Sequence, residues 1–185
     1  MRSKKSPSGF SLIEVMAAIS ISAILLAVAV PSFENQIRNA RVTAAANNLV
    51  SAILFARNRS IGNNIDGPVE LCPIQNAAST TCNGSQKDWS HGWLVGQRLL
   101  PTETNGIILR RGEDVSNSVA IETDSPFLRF RKNGTLLTSW TEHSIILCRK
   151  DQVNDKGQCP FDTDHPSSLR IVINALGRPR LQSPQ

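Results

Sequence analysis

"SGFSLIEVMAAISISAILLAVAV" occupies residues 8–30, and its reading decides what kind of molecule follows. From Phe10 to Val30, twenty-one residues carry a single charge, Glu14. At about 1.5 Å per residue such a helix measures roughly 30 Å, the thickness of a bilayer core. Arg2, Lys4 and Lys5 precede it. Basic residues on that flank favour a cytoplasmic amino terminus. Everything after Val30 is then expected outside the cytoplasm.

The rest of the composition is that of an ordinary soluble domain. The 185 residues are 40% hydrophobic, enough for one packed core plus an extension. The net charge of +5 is partly local. Without the three basic residues before the apolar run, the excess falls to two. A generally basic surface is therefore not the argument for any anionic partner; a local cluster has to carry it.

Three readings of the apolar run compete. A secretory signal finds a small-x-small site at Ala27-Val28-Ala29, but the stretch is long for one and Glu14 interrupts it. A plain membrane anchor leaves Glu14 unexplained, since a carboxylate there costs about 2.5 to 3.5 kcal/mol on insertion scales. In the third, "SGFSLIEVMAAI" resembles the leader of type IV pilins and pseudopilins: a short basic segment, Gly9, then Phe10, with Glu14 fifth after the glycine. The resemblance implies cleavage after Gly9 by a prepilin peptidase and N-methylation of Phe10. It also implies a role for Glu14. Its carboxylate pairs with the amino terminus of a neighbouring subunit, so a buried charge finds its partner on assembly.

Beyond the anchor, Pro31 is expected to kink or interrupt the helix. Ser32 to Ile61 reads helical again. Val42, Ala46, Leu49, Ile53, Ala56 and Ser60 recur at three- and four-residue spacing, with Val50 and Ile61 alongside. Arg38, Arg41, Asn48 and Arg59 lie mostly off that stripe, which reads as a core-facing side. Gly62-Asn63-Asn64 supplies the stop.

From Gly67 the helical period disappears. Short apolar runs alternate with turn residues: "PVELC", "HGWLVGQ", "GIILR", "SVAIE", "FLRFR", "TLLTS", "SIILCR" and "LRIVIN". Asn133-Gly134 is a strong hairpin signal. The body is expected to be antiparallel and β-rich, packed on the helix, an α+β arrangement. The expected boundaries are a leader at 1–9, a transmembrane helix at 10–30, its amphipathic half at 31–62 and a globular head at 63–185.

"WSHGWLV" at 89–95, "FRKNG" at 130–134 and "IVINALGRPR" at 171–180 resemble, in that order, the GspH/FimT branch of pilin-like proteins, with FimT closest in appearance. The likeness is loose between 97 and 126. It implies a type IV pilin-like fold. Trp89 and Trp93 read as core side chains with satisfied indole N–H groups.

Four cysteines outside the cytoplasm suggest two disulfides. Three pairings are open; the sequence-local one, Cys72–Cys82 with Cys148–Cys159, is favoured. Each bridge would close a polar loop and contribute roughly 2 to 3 kcal/mol in the chain-entropy model. The cysteine spacings are too wide for a zinc site, and no histidine lies two to four residues from a cysteine. His91, His143 and His165 are isolated. No GxSxG, HExxH or phosphate-binding glycine loop is present. Neither an enzyme nor a cofactor is expected.

The remaining candidate is Gly177-Arg178-Pro179-Arg180. In the FimT lineage, a carboxy-terminal Gly-Arg-x-Arg motif is associated with DNA binding in natural transformation, and the resemblance implies that role here. The residues add a physical case. If the chain continues extended past "LRIVIN", Arg178 and Arg180 share a side, about 6.5 to 7 Å apart, near the spacing of neighbouring phosphates. Pro179 stiffens the pair. Arg170, Arg149, Lys150 and Lys156 are candidate helpers, the last three blunted by Asp151 and Asp155. Expected partners are DNA, other pilins, the prepilin peptidase and the inner membrane before assembly into an extracellular pilus. The alternatives without DNA are a structural minor pilin that initiates or caps the pilus, and the corresponding pseudopilin of type II secretion.

Overall fold

The computed structural model describes residues 11–61, 67–83, 87–103, 105–137 and 142–184. Gly9, Phe10 and the basic residues before them lie outside this set, as does the Gly62-Asn63-Asn64 stop. The chain divides into two compact units, 1–37 and 38–185.

One helix, α1 (Leu12–Ser60), runs from the first unit into the second. Pro31 does not interrupt it. Proline removes one i→i−4 hydrogen bond, and the bonds on either side carry the helix through. In the first unit the described side chains of α1 are exposed on every face, Leu12, Ile13, Met16, Ile19, Ile24 and Leu25 among them. A helix apolar all round demands lipid or protein as its surroundings. Its 18-residue window of highest hydropathy has no part buried within the chain.

In the second unit α1 becomes one-sided. Val42, Ala46, Leu49, Ile53, Ala56 and Ser60 are buried, joined by Ala45 and Ala52. Arg38, Arg41, Asn48 and Arg59 face solvent. The predicted stripe is the face that packs, with one exception: Ile61 is exposed.

Eight strands follow: β1 (Val69–Pro73), β2 (Trp93–Gln97), β3 (Ile107–Arg111), β4 (Val119–Thr123), β5 (Leu128–Phe130), β6 (His143–Arg149), β7 (Leu169–Ile173) and β8 (Pro179–Gln182). They form two four-stranded sheets, ordered β3-β2-β1-β5 and β4-β6-β7-β8, and every pairing is antiparallel. Leu71, Val95, Leu128 and Phe130 from the first sheet and Ile121, Ile145, Leu147, Ile171 and Ile173 from the second close on the helix stripe as one core. The first sheet buries its other side too. There Cys72, Ile74, Cys82, Leu94 and Leu99 form a second cluster. This is why β1 and β2 are buried at every position while β4 alternates. Glu70, 1% exposed on that inner side, is matched by Arg129 at 2.6 Å and by the Leu99 N–H at 2.8 Å.

Seven of the eight predicted runs contain a strand. "TLLTS" does not. The turn at Asn133-Gly134 forms, with the Gly134 N–H donating to Arg131 O. Beyond it Leu136 bridges back to Phe130, flanked by the Arg131 N–H donating to Thr135 O and the Leu137 N–H donating to Arg129 O, while the Leu136 N–H points the other way, to Ala175 O. The disulfides are Cys72–Cys82 and Cys148–Cys159, the sequence-local pairs. Trp89 and Trp93 are core residues, 0% and 5% exposed. The Trp89 indole N–H, expected to be satisfied, has no hydrogen-bond partner among the described residues.

Candidate functional site

The extended continuation expected after "LRIVIN" does not occur. Residues 174–177 turn the chain back, and β8 returns along β7 as the edge strand, pairing Ile173 with Pro179 and Val172 with Arg180. Gly177 makes the reversal. Its φ is +71°, in the left-handed region that side chains disfavour. A Cβ at this position would stand 2.5 Å from the Gly134 carbonyl oxygen and 3.0 Å from the Phe130 ring. The turn is pinned in other ways. The Gly177 N–H donates to Asn174 O, the Arg178 N–H donates to Asn174 Oδ1 at 3.0 Å, and Arg57 Nε donates to Leu176 O at 3.1 Å. Asn174 and Arg57 were not singled out from the sequence. The Asn-x-x-Gly spacing of a turn was the available signal for the first; nothing local signals the second.

Strand alternation then places Arg178 and Arg180 on one side of the edge, both exposed. Pro179 opens the strand at an edge, where its missing N–H breaks no ladder. Arg180 stands 4.0 Å from Glu142, both well solvated, which is a weak pairing. No ion pair or side-chain hydrogen bond holds the Arg178 guanidinium among the described residues.

The candidate helpers are distributed differently. Arg170 lies across from Gln182, on the same side of the sheet as Arg180. Its guanidinium stacks on Phe161 at 4.0 Å, and its buried Nε lacks a hydrogen-bond partner among the described residues. It is a half-buried packing residue beside the arginine pair. Arg149, Lys150 and Lys156 are not brought to the site; Lys150 and Lys156 line a groove with Lys87, Ala120 and Glu122 instead. His143 pairs with Ile173, next to the turn, so Arg149 stands six residues away at the other end of β6, about 20 Å off. Arg149 is also committed, binding Asp151 through Nε at 2.9 Å and Nη2 at 2.5 Å. Arg38 approaches the same carboxylate at 3.0 Å. The hydrogen bond from Arg149 holds the Asp151 carboxyl below its ordinary value of 3.8 and raises Arg149 in turn. Among the described residues no group of His, Cys, Asp and Glu is arranged to hold a metal ion.

At the amino end, Glu14 is exposed in the first turn of α1. A carboxylate there complements the helix dipole, a further reason it is tolerated in an apolar segment.

Against protein families, the model of the type II transport protein GspH matches residues 45–177. The chain belongs to the GspH family. The prokaryotic N-terminal methylation motif matches residues 4–30, which include Gly9, Phe10 and Glu14. Over 138 residues the chain is 24% identical to prepilin peptidase-dependent protein D of Escherichia coli strain K12, covering 75% of this chain and 83% of that protein. No solved structure matches. This GspH-family chain is thus a type IV pilin-like minor pilin of the GspH/FimT type. It is anchored in the inner membrane by α1 and later enters a filament. The family match ends at Gly177, so Arg178 and Arg180 lie just past it.

Proposed function

We propose that this minor pilin binds DNA, without sequence preference, through Arg178 and Arg180, and that it supports DNA uptake in natural transformation, as in the FimT lineage. One observation carries the reading. Two exposed arginines sit two residues apart, Arg178 just before the edge strand β8 and Arg180 on it, behind a turn held by Gly177, Asn174 and Arg57. Pre-set backbone reduces the ordering that phosphate binding requires. The role is binding and assembly, not catalysis. Residues 1–9 are the leader, removed after Gly9 by the prepilin peptidase with methylation of Phe10. Residues 10–30 form the membrane-spanning and filament-core helix, 31–62 its amphipathic half and 63–185 the head. Other pilins are the filament partners, engaged in part through Glu14.

The experiment uses the processed full chain in an uncharged detergent, titrated with a short DNA duplex across salt concentrations. Binding is expected to be weak and to fade with salt, each phosphate contact adding about 0.9 to the slope of log K against log salt. Arg178→Gln with Arg180→Gln is expected to weaken it by roughly tenfold or more. No binding at low salt, or an unaffected double variant, sinks the proposal. A structural minor pilin, or a pseudopilin of type II secretion, is then the reading that remains. The end of the family match before the arginines favours that alternative.

A further inference from the structure

Two turns distant in sequence meet beside the arginine pair. Gly134 ends the turn "RKNG" at 131–134, and its carbonyl oxygen lies where a Cβ of Gly177 would stand. The Leu136 N–H donates to Ala175 O at 3.1 Å, so the segment leaving the first turn is bonded to the second. Arg57 joins both. Its Nε holds Leu176 O, and its Cγ lies 3.4 Å from where a Cβ of Gly134 would be. The turn at 131–134 is itself closed, by Gly134 N–H to Arg131 O and Thr135 N–H to Asn133 Oδ1. Its other three residues, Arg131, Lys132 and Asn133, are exposed. Neither Arg131 nor Lys132 has an ion pair among the described residues.

We infer that Arg131 and Lys132 form the second half of the DNA-backbone site, so that phosphates are held across the seam of the two turns and not by Arg178 and Arg180 alone. This rests on the DNA reading above. The close approach of Gly134 to Gly177 limits the Lys132–Arg178 Cα separation to about 18 Å. At 3.4 Å per base pair that is a footprint of at most about five base pairs. Among the described residues, Glu142, beside Arg180, is the acid paired with this group of four cations. Both turns are fixed by backbone hydrogen bonds, so the two halves keep their spacing when a ligand arrives.

The extension makes a numerical difference. Two phosphate contacts give a salt slope of about −1.8 on duplex DNA, and four give about −3.6. The slope is measured on the processed full chain in uncharged detergent, for four proteins: wild type, Arg131→Gln with Lys132→Gln, Arg178→Gln with Arg180→Gln, and Lys87→Gln with Lys156→Gln. The last pair removes the same charge from exposed residues of other loops. The expected result is a wild-type slope near −3.6. Arg131→Gln with Lys132→Gln reduces it by about 1.8 and weakens low-salt binding roughly tenfold. The Lys87 and Lys156 changes leave the slope in place. If the Arg131 and Lys132 variant behaves like wild type, or no differently from the Lys87 and Lys156 variant, the inference is overturned. The response of the Arg178 and Arg180 variant then shows separately whether the arginine pair binds. Absence of wild-type binding overturns both.

Discussion

Gly177 does two jobs that a larger residue cannot. It takes a φ of +71° and lets the backbone of Gly134 approach where a Cβ would sit. The left-handed conformation alone disfavours an L-residue by about 1 to 2 kcal/mol. The obstructing atom is backbone, so it yields only by moving a turn. Gly177→Ala is therefore expected to destabilise the head by about 2 kcal/mol, a fall in melting temperature of about 4 to 8 °C. The same change is expected to weaken the proposed DNA binding although no charge is lost, because it loosens the turn that sets Arg178 and the strand that carries Arg180. Thermal melting followed by circular dichroism reads the first effect, and DNA titration reads the second. A variant as stable and as tight-binding as wild type would refute this account of the turn. Arg178 and Arg180 were visible in the sequence as an arginine pair. What held them was not, because Asn174 acts through a local turn while Arg57 arrives from 119 residues away.

The elements were more readable than their connections. Alternation and turn residues located seven strands, and three- and four-residue spacing located the buried face of α1. The eighth strand was missed, because "GRPRLQ" has no apolar alternation; β8 exists through its pairing with β7, not through local preference. The length of β6 was equally decisive for the site. It carries Arg149 and Lys150 away from the turn and sets Arg149 against Asp151 and, through it, Arg38. That network ties the helix to the short 3-10 turn Lys150–Gln152 after β6. Asp151 has its carboxyl lowered in the folded state, so its contribution is full above the ordinary value of 3.8. It is lost as pH falls through the lower folded value. The carboxylate is substantially exposed, which keeps the effect small. Asp151→Asn is expected to lower the melting temperature by about 1 to 3 °C at pH 6 and to make no difference near pH 2. A difference that persists undiminished at pH 2 would show that packing of residue 151, not its charge, is responsible.

Across the whole chain, the two units have opposite relations to their surroundings. Residues 38–185 bury their own core, and two disulfides close loops at its edges. The described part of residues 1–37 leaves its apolar side chains uncovered, so its stability comes from a bilayer or from other subunits. Glu14 is the one charge between Phe10 and Val30. In the membrane it is a burden of about 2.5 to 3.5 kcal/mol, and the proposed filament contact would give it a partner in a neighbouring amino terminus. Removing the charge separates the two environments. Glu14→Val is expected to insert in the inner membrane at least as well as wild type, because the unfavourable carboxylate is gone. Cleavage after Gly9 is expected to continue, which mass spectrometry of the isolated protein checks. Incorporation into filaments, read from the protein sheared off cells relative to the membrane pool, is expected to fall severalfold. If incorporation is normal while cleavage is intact, the pairing with a neighbouring subunit is not what retains Glu14. The complement of the helix dipole is then the remaining physical reason for its place in the first turn.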